Sequence, residues 1–279
     1  MLESAVDHAY AAALEEWRTQ RIAELRRPDG WLSLAGLFWL SAGRSSFGSA
    51  PDNDIIFPAD KAAPVIGDFV LEDGQVRVEI RAGVDVLHDG QPVAHLTLAD
   101  DKSKSPTILT HRSLSWLVIR RDDQLGIRLR DSESPALTSF DGVPSFPVDP
   151  SWRVEAVLER YDPPRSIPVP TILGTLTPMP SPGALVFTVD GEEYRLDAFG
   201  AANGALSLIF ADATTGKETY GGGRFLSVDA VDEQDRTIID FNRAYNPPCA
   251  FTPYATCPRP PQQNRLSLAI HAGEKSFDH

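Results

Sequence analysis

Cysteine is scarce in this chain. There are two among 279 residues, too few for a disulfide scaffold. Basic charge is outweighed too: 26 Lys and Arg stand against 39 Asp and Glu, for a net charge of −13. No basic field exists to capture the phosphates of nucleic acid or of an anionic membrane. No apolar run approaches the ~18 residues of a membrane span. The opening stretch MLESAVDHAYAAALEEWRTQRIAELRR has early acids and no long apolar core, unlike a secretory signal, so a cytoplasmic protein with reduced thiols is expected. Familiar catalytic signatures are missing: no G-x-S-x-G elbow, no H-E-x-x-H and no G-x-G-x-x-G. Gly216-Lys217 does not belong to a P-loop. Ala211 stands where the first glycine is required, and Glu218 replaces the magnesium-binding Ser or Thr. The histidines, at positions 8, 88, 95, 111, 271 and 279, make no metal pair at helical spacing. The sequence indicates no metal and names no cofactor.

The composition that remains is ordinary for a globular protein, 42% hydrophobic and 23% charged, and the length suits one large β domain or two smaller ones. Residues 2–27 read as a helix rich in Ala, Leu, Glu and Arg. In it Tyr10, Leu14, Trp17, Arg21 and Leu25 recur at three- or four-residue spacing, and Pro28, Asp29 and Gly30 end it. Such a helix either docks on a sheet or binds a partner. From Trp31 short apolar runs alternate with turn residues. Asp73-Gly74, Asp89-Gly90 and Asp190-Gly191 carry hairpin chemistry. The expected fold is mainly β: an N-terminal helix over 1–28, a β-sandwich over 29–145, and a second antiparallel β-sheet or barrel unit over 146–279 that carries the site.

Phe210 to Lys275 gathers a triple glycine, an acid–amide–aromatic cluster, both cysteines and several prolines. A long irregular segment inside a compact domain is usually functional. In Tyr220-Gly221-Gly222-Gly223-Arg224 the glycines permit a turn whose backbone N–H groups cradle an anion, with Arg224 adding bidentate contacts. The alternative is a β-bulge with a structurally paired arginine. If a strand runs through Asp240 and Asn242, both point to one face and can orient a ligand or a water. Otherwise they cap the strand end. Arg243, Tyr245, Asn246 and Asn264 extend the candidate binding surface. Residues 264–275 read as a last strand followed by Glu274, which with Asp240 makes a candidate acid/base pair, Tyr245 assisting. Ion pairing with Arg224, Arg243 or Arg265 is the structural alternative. The proline-rich stretch 246–263 reads as a packed lid or as a rigid crossing loop. Cys249 and Cys257 lie too far apart for a tight zinc pair. They read as a nucleophile awaiting a base or as two small buried side chains.

The motifs TTGKETYGGGRFL, DFNRAYNPPCAF, CPRPPQQNRL and AGEK, with the earlier WLSLAGLFWLSAGRSSFGSAPDNDIIFP, resemble a bacterial and archaeal family of uncharacterised proteins, domain of unknown function 1684. The resemblance covers nearly the whole chain and implies no particular activity. It adds weight to the late motifs as the site. Gly43-Arg44, Phe47-Gly48, Asp52-Asn53-Asp54-Ile55 and Pro58 look like the opening of a forkhead-associated phosphothreonine-binding sandwich. Arg44 matches that family's arginine, but no Ser-x-x-His follows. Two functions are therefore expected. One is a small anionic or polar metabolite held in the second β unit, with hydrolysis as the most generic reaction. The other is a non-enzymatic protein-interaction module using the sandwich around Arg44. The sequence leaves the oligomeric state open.

Overall fold

The computed structural model describes residues 2–277. The first helix runs over Leu2–Leu25 and stops short of the proline, where backbone turns close back from Arg27 and Gly30. A Cβ at Gly30 would lie 2.7 Å from the Glu24 carbonyl oxygen, so the exit admits only glycine. Leu14 and Leu25 of the expected apolar stripe are fully buried. Strands hold 44% of residues and helices 15%, so the protein is mainly β.

The chain divides into two units, Glu24–Phe140 and Met1–Ala23 with Asp141–His279. In the first, one six-stranded sheet orders Leu34–Trp39, Gln124–Asp131, Leu114–Arg121, Leu109–His111, Leu87–His88 and Gln91–Pro92. A five-stranded sheet orders Ile55–Ile56, Gly43–Gly48, Gly67–Glu72, Gln75–Ile80 and His95–Leu98. Alternation along the strands turns Trp116, Val118, Ile127 and Leu129 of one sheet and Phe47, Phe69, Val76 and Val78 of the other into a single core. Its centre is aromatic. Phe47 stacks on Phe69 at 4.1 Å between centroids, and the Trp116 ring meets Phe47 and Phe57 edge-on. The unit is thus a β-sandwich. Asp73-Gly74 and Asp89-Gly90 turn their hairpins with positive φ at both central residues, as the twist of two-residue loops requires.

The second unit is built on one antiparallel sheet ordered Arg224–Val228, Leu206–Phe210, Glu192–Gly200, Leu176–Val189, Arg153–Pro170 and Arg236–Asp240. Val154, Ala156 and Leu158 point inward while their neighbours face out, the period-two pattern of a half-buried strand. Their core continues through Phe187, Leu208, Leu226 and Ile239 and is closed by Phe241, Ala244, Ile270 and Ala272. The segment after Asp240 therefore covers the sheet and touches its edge strand through one backbone bridge, Tyr245 with Phe225.

Of the two readings of Asp240 and Asn242, the structure takes the strand-end cap: the strand ends at Asp240, whose carboxylate accepts from the Asn242 N–H and opens a short 3-10 turn over Phe241–Arg243. One expectation fails. Residues 264–275 form no strand, only single bridges from Arg265 to Ala211 and from Glu274 to Ser145. The carbonyls of Ile270 and Ala272, which would serve a ladder, accept instead from the Arg224 guanidinium.

Candidate functional site

Arg224 is the largest charged side chain fully buried in the protein, 1% exposed. Its Nη2 meets Asp212 Oδ2 at 2.6 Å, with Asp212 equally sealed, and also donates to the Ile270 carbonyl at 3.0 Å. Nη1 donates to the Ala272 carbonyl, and the guanidinium lies over the Phe210 ring. Asp212 in turn accepts from the Thr214 N–H and hydroxyl. Burial lowers the Arg224 pKa, with Asp212 acting in the opposite direction. This is a dry, saturated centre with no room for an outside anion. The glycines fit the same account. Gly223 has φ +86°, and a Cβ there would lie 2.4 Å from Pro260 and 2.6 Å from the Phe210 carbonyl. At Gly222 a Cβ would strike the Tyr220 ring. Only Gly221 stands open. Tyr220 donates to the Cys249 carbonyl. The run lets the backbone pass closely between Phe210 and Pro260.

The buried asparagines are staples. Asn264 donates to the carbonyls of Asp197 and Ile209 and accepts from the Asp197 N–H, all within 3.0 Å. Asn242 exchanges two hydrogen bonds with the Asp149 backbone. Asp240 accepts from the Tyr10 hydroxyl at 2.9 and 3.0 Å and has Arg243 at 3.6 Å. Burial first, then the Asp240 hydrogen bond, raises the Tyr10 pKa.

The groups that converge do so beneath the N-terminal helix. A cleft of about 290 Å³ is lined by Trp17, Arg18 and Arg21 of the helix, by Ser145, and by Asn242 and Glu274. Arg21 Nε lies 3.2 Å from Glu274 Oε1, Nη2 donates to the Asn246 carbonyl at 2.9 Å, and the guanidinium rests on the Tyr245 ring at 4.8 Å. Glu274 Oε2 accepts from the Asn246 N–H at 2.6 Å. Asn246 also donates to the Lys275 carbonyl, while its buried Oδ1 lacks a hydrogen-bond partner. Burial raises the Glu274 pKa, against the lowering effect of Arg21 and of the Asn246 N–H. Arg18 is held more loosely: one bond to the Phe146 carbonyl and Glu15 at 3.9 Å.

Of the residues expected from sequence, the structure brings Asn242 and Glu274 to this cleft, with Tyr245 and Asn246 beside them. Gly222, Gly223, Arg224 and Asn264 lie in sealed bracing, while Tyr220 is half-buried and Gly221 exposed. Sequence reasoning missed Tyr10, Arg18, Arg21 and Asp212. The signal for two of them was present, since Tyr10 and Arg21 are polar members of an otherwise apolar helical stripe. Among the described residues no group of three His, Cys, Asp or Glu side chains could hold a metal ion.

In the sandwich unit Arg44 pairs with Glu79 at 2.8 Å and Asp68 at 3.1 Å. On the second unit an open groove of about 900 Å³ runs along the outer sheet face past Val157, Val186 and Ile238. It gathers no buried polar group.

No protein of curated function is similar to the chain. An uncharacterised protein from Haloarcula marismortui, solved by NMR, is 34% identical over 50% of this chain and 78% of its own, with a TM-score of 0.42. The FHA1 domain of yeast Rad53 matches 41% of this chain and 67% of its own at 14% identity and a TM-score of 0.20. Residues 138–275 match the model of a family described as Protein of unknown function (DUF1684). That span holds the whole sheet of the second unit together with the Arg224 centre and the Asn242–Glu274 wall of the cleft, and over it the chain belongs to this family.

Proposed function

We propose that the protein binds a small anionic or polar molecule, in the cytoplasm, in the cleft between Arg18 and Arg21 of the N-terminal helix and Asn242 and Glu274. One observation carries the reading. A carboxyl group whose pKa is raised by burial sits against an arginine in the wall of a cleft, the kind of perturbed pair that binding sites collect. Arg18, with its one firm partner and 22% side-chain exposure, is the cation free to turn toward an anion. The volume suits a small metabolite rather than a polymer.

Binding is favoured over hydrolysis because both candidate catalytic carboxylates are occupied. Asp240 is held by Tyr10, and Glu274 by Arg21 and the Asn246 N–H.

The test is a thermal-unfolding screen of the full chain against small carboxylates and phosphate esters. A ligand at a hundredfold excess over its Kd adds ~2.7 kcal/mol. The expected result is a saturable rise in Tm that disappears in Arg18→Ala, whose own Tm stays within ~3 °C of wild type. A rise of equal size in both proteins, or no rise with any compound, overturns the reading.

A further inference from the structure

The cleft leaves both cysteines unused. Cys249 lies half-buried in the short turn Pro248–Ala250, Cys257 is almost fully buried, and neither is in a disulfide. Their placement is not that of two isolated packing residues. The Cys249 N–H donates to Cys257 Sγ at 3.2 Å, which brings the second sulfur against the backbone of the first cysteine. Tyr220, the residue before the triple glycine, donates its hydroxyl to the Cys249 carbonyl at 2.9 Å. Together with the charge of Arg259, these contacts favour the thiolate. The Cys257 hydrogen bond is the largest cause and burial opposes it, and the Cys249 pKa comes down to about 7. A thiolate present at neutral pH is the nucleophile of disulfide chemistry. A second sulfur 3.2 Å from the Cys249 backbone nitrogen needs little backbone movement to close a disulfide.

We propose that Cys249 and Cys257 form a thiol–disulfide exchange site for low-molecular-weight disulfides, with Cys249 attacking and Cys257 resolving. The Cys249 thiolate attacks one sulfur of the small disulfide. A sulfur–sulfur bond forms to the protein, the original one breaks, and one small thiolate leaves. Cys257, giving up its proton to solvent, then attacks the Cys249 sulfur and expels the second thiolate. The protein dithiol has lost two electrons and two protons, and the small disulfide has become two thiols. The order follows from exposure, since Cys249 is partly exposed and Cys257 is almost fully buried. The closed bond spans the loop from 249 to 257, which packs through Phe251, Thr252 and Ala255. Oxidation therefore locks a segment that already has its native path.

The test uses the purified full chain and glutathione disulfide, read by intact mass and peptide mapping. Wild type is expected to lose two hydrogens, keep no glutathione and yield a peptide joining Cys249 to Cys257. Cys257→Ser should stop at one glutathione on Cys249, and Cys249→Ser should react at least ~10-fold more slowly than wild type. Carboxymethylation of Cys249 in the wild-type fold should rise with a midpoint near pH 7, against ~8.5 for an ordinary thiol. The wild-type readings require no variant to fold. Wild type that stays reduced under conditions that glutathionylate Cys257→Ser would overturn the proposal. So would a Cys249 midpoint at or above the ordinary value, or a Cys249→Ser protein that reacts as fast as wild type.

Discussion

Two arginines of the second unit each face a carboxylate, and their surroundings make them different kinds of residue. Arg224 and Asp212 are 1% and 0% exposed and every nearby acceptor is taken. Arg21 and Glu274 are 13% and 5% exposed, and they wall a cleft with the looser Arg18 beside them. The first pair replaces a strand ladder: its guanidinium ties the Ile270 and Ala272 carbonyls to the sheet. The second pair holds the helix against the backbone of Asn246 at the wall of the cleft. An unusual polar residue in a sequence thus marks a place where the backbone needs a partner as readily as one where a ligand does, and burial separates the two.

The contrast is broken most forcefully at Arg224. Arg224→Met leaves Asp212 buried and unpaired, and a loss of ~3–5 kcal/mol in unfolding free energy is expected. Adding Asp212→Leu should recover much of that, since an apolar pair needs no compensation. Urea titrations of the two singles and the double measure the coupling. A near-neutral Arg224→Met would return Arg224 to the list of ligand residues. Next in size is the glycine run. Gly223→Ala should cost more than ~2 kcal/mol, because positive φ and the Phe210 carbonyl both oppose a Cβ. Gly221→Ala, with nothing nearer than 3.8 Å, should stay within ~1 kcal/mol. Equal costs at the two positions would mean that the turn is not braced as described.

A smaller effect sharpens the cleft. Burial raises the Glu274 pKa, so the folded chain binds this proton more tightly than the unfolded chain does. Ionisation then costs stability above the folded pKa, and the cost fades as pH falls toward the ordinary value of ~4.3. The stability of wild type relative to Glu274→Gln is expected to increase as pH is lowered from neutral through that window. Urea unfolding at several pH values checks it. A relative decrease on acidification would show that Arg21 dominates and that the carboxylate is held ionised.

The parts of the fold that were legible in sequence depend on neighbours in the chain. Asp-Gly pairs give their hairpins, and the short apolar runs between turn residues give strands. The stripe from Tyr10 to Leu25 gives the helix. The parts that were not legible depend on distant partners. Arg21 meets a carboxylate 253 residues away and Tyr10 one 230 residues away, and no local pattern encodes either. The failed strand at 264–275 has the same cause. Its alternation of Leu266, Leu268 and Ile270 is genuine, but a buried guanidinium takes the carbonyls that a neighbouring strand would use. The late motifs could be located in sequence, yet only side-chain burial sorts bracing residues from cleft residues.

The most direct test of that sorting is the reactivity of individual arginines toward phenylglyoxal in the native protein, mapped by peptide mass. Arg18 is expected to be modified readily and Arg224 to be protected until the chain is unfolded in urea. Native modification of Arg224 at a rate comparable to Arg18 would contradict the account.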